Sequence, residues 1–208
     1  MASVLCDPRP APTAQAVKIV IAGGFGAGKT TLVGAVSEIT PLTTDEALTT
    51  ADTSLDPLEG IKAKTTTTVA LDFGRITLHP DNAHDRAGVG DVVLMLFGTP
   101  GQERFWFMWR DLCRGAAGAV VLADTRSLDD YFEAVEYFEQ EQLPFVVAVN
   151  EFDDAPRHPL DDIRRALDLT RPGTPVITCD ARHRSSARTV LMVLVDHACA
   201  MLPPGEVR

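Results

Sequence analysis

From residue 17 onward, short apolar runs take turns with amphipathic stretches, each of a length that suits one element of secondary structure. The apolar run 17–22, a glycine-rich turn and a helix-like stretch at 29–39 closed by Pro41 predict strand, loop, helix. Residues 65–78 are β-branched and partly alternating, 79–90 are turn-like and 91–97 are almost wholly apolar, which fits an antiparallel hairpin. Apolar runs at 119–123, 145–149 and 176–179 then alternate with helical stretches at 128–140, 160–169 and 186–201. Continuous apolar strands separated by helices must be buried on both faces. The expectation is a three-layer α/β fold with a mostly parallel six-stranded sheet and one antiparallel strand.

A chain of 208 residues suits one domain around one core, and no internal repeat is visible. Residues 1–15, rich in proline and alanine, read as a disordered tail, 16–202 as the domain and 203–208 as a second tail. Threonine-rich, acidic residues at 41–60 lack periodicity and read as a mobile loop.

The 19 basic and 29 acidic side chains leave a formal charge of -10, so the surface repels polyanions and a nucleic-acid partner is not expected. Cys6, Cys113, Cys179 and Cys199 show no paired spacing and no companion histidines, and read as reduced thiols of a cytoplasmic protein. No run reaches the roughly 18 apolar residues of a membrane span, and the first residues lack the order of a signal peptide, so direct membrane insertion and secretion are not expected. Cys199-Ala200-Met201-Leu202 resembles a prenylation box, but six residues follow it, and it reads instead as helix core.

The chemistry begins at Gly23-Gly24-Phe25-Gly26-Ala27-Gly28-Lys29-Thr30, which fits G-x-x-x-x-G-K-[ST] between a predicted strand and a predicted helix. Glycines let the backbone turn sharply and bring successive N–H groups to phosphate oxygens. Lys29 would reach the outer phosphates, and Thr30, followed by Thr31 at the helix start, would offer its hydroxyl to Mg²⁺. A glycine-rich turn with an exposed lysine is the plainer alternative.

Three further segments, read with this loop, resemble Ras-like GTPases. Gly98-Thr99-Pro100-Gly101-Gln102-Glu103 follows an apolar strand; by the resemblance Gly101 donates its N–H to the γ-phosphate and Gln102, with Lys29 the expected catalytic residue, orients the attacking water. Asn150-Glu151-Phe152-Asp153 resembles the base-reading Asn-Lys-x-Asp, in which the asparagine ties the loop to the phosphate loop. Asp153 could accept from N1 and N2 of guanine, donors that adenine lacks. Thr65 to Thr68 before Asp72-Phe73 resembles the end of a first switch, with Thr68 as the expected second Mg²⁺ ligand and Thr67 as the near alternative. Asp180, Ala181 and Arg182 match the loop that meets the base through backbone N–H groups, Ala181 best of the three.

More narrowly, Gly-Thr-Pro-Gly-Gln-Glu-Arg-Phe-Trp-Phe-Met-Trp with Val-Leu-Ala-Asp-Thr-Arg, Ala-Val-Asn-Glu-Phe-Asp and Cys-Asp-Ala-Arg resembles the conservon-type ATP/GTP-binding proteins of actinomycetes, relatives of the bacterial MglA switch. The resemblance implies a Ras-like P-loop domain binding GTP or GDP with Mg²⁺ and acting as a signalling switch. It further implies a Roadblock/LC7-domain partner, a sensor histidine kinase complex, and recruitment to the membrane through those partners. Two departures point to slow, partner-stimulated hydrolysis. Gly98 replaces the aspartate that holds Mg²⁺ through water, and Phe25 replaces a small residue beside the γ-phosphate. The aromatic strip 105–109 is either partly core or a partner surface. Rival readings are a non-hydrolysing nucleotide-dependent scaffold and an ATP-binding P-loop ATPase.

Overall fold

A computed structural model describes residues 15–42, 46–47, 66–67, 72–79, 91–100 and 109–201. The tails expected over 1–15 and 203–208 lie outside these residues, except Gln15, where the first strand starts. The main sheet is built from β1 (Gln15–Ala22), β4 (Asp72–Leu78), β5 (Val92–Gly98), β6 (Ala116–Ala123), β7 (Phe145–Asn150) and β8 (Val176–Cys179). A separate two-stranded ribbon pairs β2 (Glu46–Ala47) with β3 (Thr66–Thr67) antiparallel. Strand order in the main sheet is β4-β5-β1-β6-β7-β8, with β4 antiparallel to β5 and every other pairing parallel. This is the three-layer α/β arrangement of a P-loop fold.

Side chains alternate across β1, and the two faces of the sheet carry separate cores. Ile19 and Ile21 meet Leu32 and Val33 of α1 (Lys29–Val36) and Val190, Leu191 and Leu194 of α5 (Arg184–Met201). On the opposite face Val20 and Ala22 pack with Phe138 of α3 (Phe132–Gln140) and Ile163 of α4 (Leu160–Ala166). Each of these buried Val, Leu, Ile and Phe side chains removes enough apolar surface from water to contribute about 1.5–3 kcal/mol. The consequence is a stiff sheet whose parallel strands all end their chains on one rim, where the loops gather.

Several elements are shorter than their apolar patterns predict, for local reasons. The first helix stops at Val36 because Ser37 turns extended and its hydroxyl engages both N–H and C=O of Ile39. The stretch 128–140 is divided into a 3₁₀ turn, Leu128–Tyr131, and α3. The stretch 160–169 ends its helix at Ala166, after which Asp168 takes a positive φ of 49°. Trp109 opens α2 (Trp109–Cys113), lies buried and stacks on Phe138 at 5.6 Å, so this end of the aromatic strip is core; residues 105–108 lie outside the described residues. Cys199, Ala200 and Met201 are helical as expected but exposed, so they are not helix core. Cys113, Cys179 and Cys199 are free thiols, and burial pushes that of Cys113 up to about 11, which makes it a poor nucleophile. Among the described residues no helix is long and apolar enough to cross a membrane.

Candidate functional site

Gly23 to Thr30 run from the end of β1 to the first residues of α1, as the motif requires. Gly28 adopts φ 100°, and a Cβ there would stand 2.7 Å from Asn150 Nδ2, so both conformation and space demand glycine. The N-terminus of α1 has no side-chain cap and no acidic residue in its first turn. Its N–H groups therefore face the loop with their positive dipole end uncompensated, which is a place for an anion. Lys29 is buried, and its Nζ donates to the carbonyls of Gly23 at 2.8 Å and Gly24 at 2.7 Å. Phe25 occupies the outer turn of the loop and is 43% exposed, and Thr31 lies on the open face of α1. Tyr131 braces the loop from the other side of the sheet. Its hydroxyl accepts the N–H of Asp124 at 3.0 Å and lies beside Gly24, and burial pushes its pKa up to about 12, so it stays a neutral phenol.

Behind Thr30 lies a residue that served in the sequence only to count strand positions. Thr30 Oγ1 donates to Asp72 Oδ2 at 2.6 Å, and Asp72 is buried. Asp72 and Gly98 face each other on the β4–β5 ladder, and a Cβ on Gly98 would stand 3.0 Å from Asp72 Cβ and 3.1 Å from its Oδ2. The missing side chain at Gly98 is what leaves room for the Asp72 carboxylate. An aspartate absent from the strand where the resemblance places it is thus matched by one on the neighbouring strand. No linear motif records that exchange, because it exists only in the pairing.

The loops that follow β7 and β8 meet at Asn150. Asn150, 5% exposed at the end of β7, donates from Nδ2 to the Ala27 carbonyl at 2.9 Å and accepts at Oδ1 from the Ala181 N–H at 3.0 Å. One side chain thereby fastens three loops. Glu151 donates its N–H to the Cys179 carbonyl and pairs at 3.9 Å with Arg157. Asp153 is exposed, and hydrogen bonds from Arg182 followed by its positive charge hold the carboxyl below the usual range. Arg182 bridges to Asp180 as well, while Asp180 accepts from the Arg182 N–H.

Arg126 entered the sequence reading only as the end of Val-Leu-Ala-Asp-Thr-Arg, with no role of its own. Its guanidinium lies 4.2 Å above the Phe152 ring, bonds both oxygens of Asp124 and reaches Asp154 at 3.0 Å. It clamps the loop after β6 to the loop after β7, and so fixes the chain on either side of Asp153. An Asp-Thr-Arg string directly after an apolar strand was the available signal.

Thr68, Gly101 and Gln102 lie outside the described residues. The described part of the site thus unites Gly23, Gly24, Phe25, Gly26, Ala27, Gly28, Lys29 and Thr30 with Asn150 and Ala181, and places Phe152, Asp153, Asp180 and Arg182 beside them.

Over 139 residues the chain is 27% identical to an uncharacterized protein of Methanocaldococcus jannaschii, an alignment that covers 66% of this chain and 71% of that one. Residues 21–201 match a family model described as conserved hypothetical ATP binding protein, a match that bears on the phosphate loop and the fold rather than on a Ras-like or MglA-type identity. From the phosphate loop to the end of α5, then, the chain belongs to the family of conserved hypothetical ATP-binding proteins.

Proposed function

We propose that this chain is a P-loop nucleoside triphosphatase that cleaves the terminal phosphate of a purine nucleotide. The observation that carries the proposal is Lys29, buried at the uncapped N-terminus of α1 with its ammonium held on the loop carbonyls, where it can transfer to phosphate oxygens. The open N–H groups of the helix and loop would share the phosphate charge, and Gln102 is the residue assigned to orient the water. Hydrolysis of ATP and GTP by the purified chain, followed as phosphate release in single turnover, is the test; absence of turnover with either leaves only the scaffold reading.

The donor set fits a divalent cation. Thr30 commits its hydroxyl proton to Asp72, so the oxygen lone pairs are left for a metal, and the carboxylate behind adds negative charge without a second direct ligand. Mg²⁺ keeps several waters and leans on substrate phosphates, so one hydroxyl with a carboxylate behind it is the kind of protein contribution it needs. Bound there, Mg²⁺ would neutralise charge on the outer phosphates. Asp72→Ala is expected to raise the Mg²⁺ concentration needed to slow nucleotide release about tenfold or more, the usual cost of losing a metal ligand's hydrogen-bond partner. Release of a fluorescent nucleotide as Mg²⁺ is titrated measures this, and an unchanged titration removes Asp72 from the metal site.

Two bases compete. The description of the family favours ATP. The residues on the rim favour guanine, because Asn150 fastens the loop carrying Asp153 to the phosphate loop and brings Ala181 beside it. On the guanine reading, Asp153→Asn is expected to weaken GTP binding at least about tenfold, through the loss of a charge-assisted pair, and to shift preference toward xanthine nucleotides. Calorimetry with ATP, GTP and XTP decides: tight ATP binding that ignores Asp153→Asn establishes adenine instead.

A further inference from the structure

We infer that Arg182 competes with guanine for Asp153, occupying the carboxylate with the same pair of donors that guanine would present, so that guanine must displace it and binds more slowly for it. The inference rests on the guanine reading of the rim and goes beyond it by naming the competitor. Arg182 Nη1 donates to Asp153 Oδ2 at 3.1 Å and Nη2 to Oδ1 at 3.2 Å, so both carboxylate oxygens are in use. The N1–C2–N2 edge of guanine is itself a guanidine unit: two N–H donors on nitrogens joined by one carbon. It matches a carboxylate in the same bidentate way as the arginine head. One carboxylate cannot serve both in that geometry.

The surroundings fix which bond yields. Arg182 also donates from Nε to Asp180 Oδ1 at 3.0 Å and from Nη2 to Asp180 Oδ2 at 2.9 Å, shorter than its bonds to Asp153. The Asp180 side chain is 18% exposed against 87% for Asp153. The Asp180 N–H donates to Ser186 Oγ at 2.9 Å, and His183 Nε2 approaches its carboxylate at 3.4 Å. Bonds from Arg182 hold its carboxyl down to about 2, so this anchor stays charged. Arg182 therefore keeps Asp180 when it gives up Asp153. The loop itself need not move, since the Ala181 N–H is tied to Asn150. A base without the paired donors gains nothing from Asp153 and leaves the arginine where it is.

Because the Arg182–Asp153 pair is exposed, its removal is worth a few-fold at most, and salt weakens it. The test is stopped-flow association of ribose-labelled fluorescent GDP with the full chain, carrying Arg182→Ala or Arg182→Lys, across ionic strengths. Arg182→Ala is expected to bind about two- to fivefold faster at low salt, and Arg182→Lys, whose ammonium cannot bridge both oxygens, to lie between. The difference should close toward about 1 M salt, where the screening length is about 3 Å. An Arg182→Ala rate equal to or below the parent at low salt overturns the inference while GDP binding itself stands. A parent chain that takes labelled ADP tightly and labelled GDP not at all overturns the guanine reading and this inference with it.

Discussion

Lys29→Ala is expected to weaken nucleoside triphosphate binding on the order of a hundredfold while the fold survives. The ammonium makes two short bonds to loop carbonyls at a buried position, and with nucleotide present those donors face phosphate oxygens instead. Charge-assisted hydrogen bonds contribute about 1.5–3 kcal/mol each, so losing the pair removes about 3 kcal/mol or more, and each 1.4 kcal/mol is tenfold in affinity. The sheet pairings of β1 and the apolar face of α1 do not involve the ammonium, so the melting transition should remain cooperative. Calorimetric titration with ATP and GTP measures the effect. Parent-like affinity for both would mean that the loop does not cradle phosphate, and the proposed activity would fall with it.

Asn150→Ala should act on stability and on the site together. The substitution strands the Ala27 carbonyl and the Ala181 N–H, two backbone groups on residues with 0% and 1% exposure. A buried polar group left unsatisfied costs about 1–3 kcal/mol, so the pair should cost about 3 kcal/mol in all. For a domain of this size each kcal/mol moves the melting temperature by roughly 2–4 °C, giving a drop of about 6–12 °C. The phosphate loop and the two base loops would lose their common tie, and the rise in melting temperature on adding nucleotide should shrink as well. Thermal melts with and without nucleotide separate the two effects. A shift under about 2 °C with a full ligand response would show that other contacts hold the rim together.

These two residues were legible in the sequence because each belongs to a contiguous string with a spacing set by local geometry. Lys29 follows the last glycine of a turn, and Asn150 closes a wholly apolar strand. The sheet was legible for a similar reason, since runs such as 145–149 can be buried on both faces only inside a parallel sheet. Helix ends were not. Ser37 leaves α1 through a hydrogen bond with its own neighbour, a choice that an apolar periodicity does not encode. Arg126 was hidden because its partners, Asp154 and the Phe152 ring, come from a loop 26 or more residues away. Asp72 was hidden more deeply, since it gains meaning only opposite Gly98, a relation between strands rather than along one.

That relation makes positions 72 and 98 epistatic. An aspartate restored at 98 would set a second carboxylate against the first, because even its Cβ would lie 3.1 Å from Asp72 Oδ2, and two like charges in a buried space oppose one another. A glycine at 72 with glycine kept at 98 would leave Thr30 without its acceptor. Both single steps are thus costly, and only the simultaneous exchange restores one carboxylate to the rung. The double exchange Asp72→Gly with Gly98→Asp is therefore expected to cost less than the sum of the two single substitutions, a coupling across the ladder that a thermal-melt cycle measures.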